Sequence, residues 1–129
     1  MKRILLIAAV VALGGCSTIQ GWIPSFWDDN QSAKITDVRL TVDRIDCSRD
    51  QLAQASQLRD QLRWFELYSQ SKGTLQQDVL KLIKPIQLTT EDWYKRSSEG
   101  QGSVGYCGIK KKILEQQTSR AAKGILGRW

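Results

Sequence analysis

Apolar residues along this chain follow two patterns. They are nearly continuous from Ile4 to Leu13, and from Gln31 onward they recur at spacings of three and four with charges between them. The second pattern belongs to amphipathic helices, whose inward positions return about every 3.6 residues. Ile35, Val38, Val42 and Ile45, then Leu52, Ala55, Leu58, Leu62 and Phe65, trace such a face; Asp37, Arg39, Asp43, Arg44, Arg49, Asp50 and Arg59 occupy much of the remainder. Arg49 stands where a heptad wants an apolar residue, so the seam is not that of a regular coiled coil. No Gly or Pro interrupts 31–72, which predicts one long helix or two joined near Cys47. A strand over 35–45 competes, because Val38, Leu40 and Val42 alternate and Thr36, Val38, Thr41, Val42 and Ile45 are β-branched.

Beyond 72 the punctuation is denser. Gly73 suits the residue after a helix C-terminus and Thr74 the next N-cap. Leu75, Val79, Leu82 and Ile83 then give a short helix, which Pro85 is expected to end. Thr89 or Thr90 is placed to cap another, with Glu91 and Asp92 in its first turn and Trp93 and Tyr94 on its buried side. Ser97 to Gly105 is rich in Ser and Gly and predicts a loop. A last helix over about Val104–Leu126 carries Ile109, Ile113, Leu114, Ala121 and Ile125 as its apolar residues. The expected fold is all-α, a small irregular helical hairpin or bundle; the alternative is α+β with its strand at 35–45.

The continuous run has a different meaning. Lys2 and Arg3 precede it, and Leu13-Gly14-Gly15-Cys16 closes it. This is the three-part layout of a secretory signal, and it is too short for a transmembrane helix, which needs about 20 apolar residues. Its end resembles the lipobox of bacterial lipoproteins: Leu, two small residues, Cys. That resemblance implies cleavage before Cys16, fatty acylation such as palmitate at Cys16, and an extracytoplasmic domain held to a membrane. Ser17 stands where Asp favours the inner membrane in the enterobacterial family, so the resemblance points to the periplasmic face of the outer membrane. The organisation expected is a signal peptide over 1–15, a lipidated tether over 16–30 and a small helical domain over 31–129. Trp22, Ile23, Phe26 and Trp27 lie unusually close to the lipid; either they form an aromatic foot at the membrane interface, or Phe26 and Trp27 pack on the domain. Ser25 and Asp28 have the spacing of a capping box, with Asp in place of Glu.

Charge and cysteine content sharpen this picture. The formal net charge is +6, unevenly spread: 16–66 holds 8 acids and 6 bases, 67–129 holds 5 acids and 11 bases. Lys110, Lys111, Lys112, Arg120, Lys123 and Arg128 make the last helix strongly basic. With Ile125, Leu126 and Trp129 it reads as a face for a protein partner or an anionic membrane surface, or as a core helix flanked by long cationic stems. Once Cys16 is acylated, Cys47 and Cys107 remain as an even pair in an oxidising compartment, and a disulfide between them is expected.

Catalytic chemistry has little to work with. The chain has no His, the commonest general base, and no G-x-S-x-G, H-E-x-x-H or phosphate-binding loop. Asp28/Asp29 and Glu91/Asp92 are adjacent pairs whose side chains diverge, while Asp43 and Asp46 are spaced to share a helix face. Metal and cofactor sites are not expected, nor is nucleic acid as a partner of a lipidated, exported domain. The sequence therefore points to a non-catalytic envelope lipoprotein acting as an interaction or accessory module, with an envelope protein as partner. Its plan of lipobox, short tether and small domain with a partner-binding end is similar to that of phage lysis lipoproteins, the outer spanin subunits. Only two prolines occur here, unlike the Pro-rich body of some of those subunits. A phage lipoprotein that blocks a receptor would share the plan.

Overall fold

A computed structural model describes residues 27–73 and 76–128. Among these, four helices account for nearly all regular structure: α1 (Asp29–Asp43), α2 (Gln51–Ser71), α3 (Gln77–Ser98) and α4 (Val104–Leu126), and no strand is present. The fold is thus all-α, and the strand alternative at 35–45 is corrected to the main body of α1. Its β-branched residues sit in a helix because Ile35, Val38 and Val42 share one buried face at helical spacing, and burial outweighs a propensity difference of a few tenths of a kcal/mol per residue. Each helix packs on the next in sequence, and α4 closes back on α1. The short connections at 44–50, 72–76 and 99–103 make neighbours antiparallel.

The break between α1 and α2 has a local cause, although neither Gly nor Pro marks it. Asp46 accepts from the Ser48 backbone N–H and hydroxyl, and Asp50 caps α2 by accepting from the Ala53 N–H. Such side chain to backbone bonds compete with helix continuation. The α2–α3 break is the expected one at Gly73, whose φ of 95° favours glycine; Thr74 and Leu75 lie outside the described residues.

Pro85 does not end a helix. It lies inside α3, and the two short helices expected on either side of it are one. Pro85 is exposed, and so is Lys81, whose carbonyl the proline cannot bond. Val79, Ile83, Ile86 and Trp93, buried on both sides of the proline, carry the helix through a defect that costs about 3 kcal/mol in isolation. Thr89 and Thr90 are accordingly buried residues of α3 rather than caps, and the Thr90 hydroxyl donates to the Ile86 carbonyl. The loop before α4 and the extent of α4 follow expectation, with Ser103 as N-cap. Two residues placed on apolar faces are instead exposed, Leu52 at 39% and Ile109 at 60%, and Ile113 is half-buried. Gly124 permits close approach of α3 to α4, since a Cβ there would stand 2.6 Å from Leu82.

The two ends of the bundle are locked differently. At one end the Cys47–Cys107 disulfide, with 5.7 Å between Cα atoms, fastens the α1–α2 connection to α4. Gln51 joins the same region, donating to the carbonyls of Cys47 and Gly102 and accepting from Trp93 Nε1. At the other end buried Gln31 donates to Ser69 Oγ (3.0 Å) and Gln76 Oε1 (2.8 Å) and accepts from Arg128 Nη2 (2.7 Å). One side-chain amide thereby ties α1 and α2 to the residue that starts α3 and the residue that follows α4. Burial pulls the Arg128 pKa down despite the fields of Asp78 and Asp28. Gln31→Ala is expected to cost about 1–3 kcal/mol, because it strands buried partners; urea unfolding checks this, and an unchanged midpoint would show that Ser69 and Gln76 are satisfied without it.

Candidate functional site

The basic C-terminal helix divides into residues that serve the fold and residues that face outward. Lys110 is half-buried over the Tyr106 ring and paired with Asp92 Oδ2. Burial pulls the Lys110 ammonium down, but the Asp92 and Tyr106 contacts outweigh it and leave the pKa above its ordinary value. The bonds from Lys110 and Tyr106 in turn hold the Asp92 carboxyl below its usual value. Lys111 donates to the Ile45 carbonyl at 2.9 Å, helping to dock the end of α1. Neither lysine is a free surface charge.

Lys112, Arg120 and Lys123 are exposed and share a shallow depression on the outer face of α4 with Glu115, Gln116 and Ser119. Helical spacing sets this grouping, since residues three, four and seven apart fall on one side. On neighbouring α3, Lys81, Lys84 and Lys95 are also exposed, Lys84 at the rim of the groove that α3 forms with α2. None of these six bases belongs to an ion pair among the described residues. The stretch 76–128 holds 10 bases and 5 acids, while 27–73 holds 7 bases and 8 acids; Glu91, one of those 5, is bonded to Arg59 of α2. The fold thus sorts charge by side, with the positive excess on α3 and α4. Trp129 lies outside the described residues, as do Cys16, the signal peptide, Ser25 of the expected capping box, and Trp22, Ile23 and Phe26.

A second surface, not anticipated from the sequence, lies where α1 meets α2 near the Asp28 end. The rings of Trp64 and Tyr68 stack in parallel at 5.0 Å, with Lys34 Nζ 4.5 Å from the Trp64 ring centre and Lys72 Nζ 5.5 Å from that of Tyr68. Tyr68 and Lys72 both reach Asp28, which caps α1 by accepting from the Gln31 N–H. Helix α1 and its cap thus start at Asp28, within the stretch expected to be tether. Trp27, bonded through Nε1 to Asp29, is exposed at the same end. The i,i+4 pair Trp64/Tyr68 was legible as helical spacing; its pairing with Lys34 depended on how α1 and α2 meet.

Burial tends to raise the Asp28 pKa, but the Gln31 amide, Tyr68 and Lys72 outweigh it, and the carboxyl sits below its ordinary value of 3.8. Asp46, through its Ser48 bonds, and Asp92 are likewise held low. A carboxyl whose folded pKa is depressed contributes fully above its unfolded value and loses that contribution as pH falls through the folded one. From these carboxyls, stability should therefore be level between about pH 5 and neutrality and decline below about pH 4. Asp28→Asn keeps a good cap but loses the charge, so it should cost about 1 kcal/mol near neutrality and shrink the acid-side decline. Chemical denaturation at pH 7 and pH 3 tests this; an equal deficit at both would assign the loss to packing.

The carboxylate pairs do not assemble. Glu91 bonds Arg59 and Asp92 bonds Lys110, on opposite sides of α3, while Asp46 turns into its own loop. Among the described residues no group of three or more His, Cys, Asp or Glu is placed to hold a metal ion, and no helix is long and apolar enough to cross a membrane. The groove between α2 and α3, of about 390 Å³, is lined mainly by charged and amide residues, with Leu62, Leu88 and Thr90, and Arg59–Glu91 bridges it. The fold so defined is a disulfide-closed four-helix bundle with one positively charged side. No protein-family model, curated protein or solved structure matches the chain.

Proposed function

We propose that this protein is a lipid-anchored envelope lipoprotein whose bundle is a non-catalytic interaction module, with the outer faces of α3 and α4 as its contact surface for an acidic protein. The observation that carries this reading is the set of six exposed bases, Lys81, Lys84, Lys95, Lys112, Arg120 and Lys123, with no ion pair among the described residues. Positive charge gathered on one side speeds encounter with a negative surface and fixes orientation. Acylation of Cys16 supplies the anchor, and the absence of Asp after it favours the periplasmic face of the outer membrane.

The test is in-cell photo-crosslinking from positions 112 and 123, with mass spectrometry of the adducts. The expected result is one discrete protein, reduced about tenfold when Lys112, Arg120 and Lys123 are together changed to Glu. An inner-membrane partner would specify a lysis subunit of the spanin kind, and an outer-membrane receptor a receptor blocker. Adducts with lipid or lipopolysaccharide alone would overturn the protein-partner reading.

A further inference from the structure

We infer that the bundle rests on the bilayer that anchors it, through the α1–α2 flank carrying Trp64, Leu67 and Tyr68, and so holds the α3–α4 side away from the membrane. This rests on the lipid-anchor reading of Cys16. The occupant proposed is the headgroup layer of a phospholipid bilayer.

Position is the first argument. Asp28 follows Cys16 by twelve residues, an extended reach of at most about 40 Å, comparable with the length of about 34 Å of 23-residue α4. The chain from the anchor arrives at Asp28, and Asp28 itself contacts Tyr68 and Lys72. The flank therefore lies beside the point where the chain from the anchor enters the bundle.

Chemistry is the second argument. Trp64 and Leu67 are 43% and 49% exposed on a helix whose core face is complete without them. Trp and Tyr, with an apolar ring and a polar edge, are the residues that concentrate at membrane–water interfaces, and Lys stems bridge the same zone. Here the two rings are already stacked and flanked by Lys34 and Lys72, so little side-chain freedom remains to be lost on docking. Exposed apolar residues at the disulfide end, Leu52, Val104 and Ile109, are aliphatic and lack this combination.

Topology supplies the third. With neighbours packed in the order α1, α2, α3, α4 and back to α1, the α1–α2 flank lies across the bundle from the α3–α4 side. Seating one directs the other outward.

The experiment uses the full chain, expressed in a Gram-negative host, purified from membranes and reconstituted in vesicles of phosphatidylethanolamine and phosphatidylglycerol. Photoreactive benzoylphenylalanine replaces either Leu67 or Leu88. Leu88, on α3, is the more exposed at 60%, so simple accessibility favours it. Docking through α1–α2 predicts lipid adducts about tenfold higher from position 67. Equal labelling, or more from position 88, overturns the inference. Trp64→Ala should lower adducts from position 67 severalfold while the thermal transition confirms folding; unchanged adducts would overturn the role given to the rings. The mass of the N-terminal peptide separates anchoring from docking. Without acyl chains the anchor reading fails and the docking with it, whereas an acylated chain with equal labelling fails the docking alone.

Discussion

Replacing Cys47 and Cys107 by Ala is expected to lower stability by about 4 kcal/mol and the thermal midpoint by about 20 °C. The bond joins residues 60 apart in sequence, so in the unfolded chain it removes the freedom of a loop containing all of α2 and α3. Total stability of small domains is commonly 5–15 kcal/mol, so the loss would leave a marginal bundle. Cys107 is fully buried and Cys47 packs against the core, so the double Ala variant also leaves small voids that add to the entropic loss. Thermal unfolding followed by circular dichroism, for the oxidised protein and the double variant, measures it. A shift of less than about 5 °C would mean that the unfolded chain keeps structure around this loop. The same measurement with reductant on the unaltered protein should show a shift of similar size.

Trp93→Ala should be comparably severe, at about 3–5 kcal/mol. Trp93 heads the fully buried side chains by volume, and its Nε1 donates to Gln51 Oε1 at 3.2 Å. Removing it opens a cavity beside the disulfide end and takes from Gln51 the donor that fixes its amide. Since that amide also binds the carbonyls of Cys47 and Gly102, both loops at this end should loosen. Trp93→Phe separates the two effects: it keeps most of the volume and should cost about 1–2 kcal/mol. Urea unfolding of both variants decides, and a Phe variant as damaged as the Ala variant would place the weight on the hydrogen bond rather than on packing.

The helical face running from Ile35 to Phe65 was legible because three- and four-residue spacing is a direct image of burial, and all of its members but Leu52 are in fact buried. The pairing of Cys47 with Cys107 was legible from the even pair that remains once Cys16 is set aside. Pro85 misled, because a local rule about helix ends yields when buried residues on both sides hold the helix together. The break after Asp43 lacked Gly or Pro, yet Asp46, Ser48 and Asp50 carried the signal in their capacity to bond backbone. On the candidate surface, helical spacing groups Lys112, Arg120 and Lys123 correctly. It could not reveal that Lys110 and Lys111 are engaged with Asp92 and Ile45, since those contacts depend on how α4 meets its neighbours. Nor does Gln31 announce itself: an amide near a helix start reads as solvent-facing until Ser69, Gln76 and Arg128 converge on it.

The disulfide also fixes how the protein answers mechanical load. A force drawn between the start of α1 and the far end of α4 passes along α1 to Cys47, crosses the covalent bond to Cys107 and continues down α4. Residues 48–106 lie off that path. They cannot be extended while the bond is intact, so only α1, α4 and the chain flanking them can lengthen. The bond thus sets a short upper limit on stretch and shields α2 and α3 from tension.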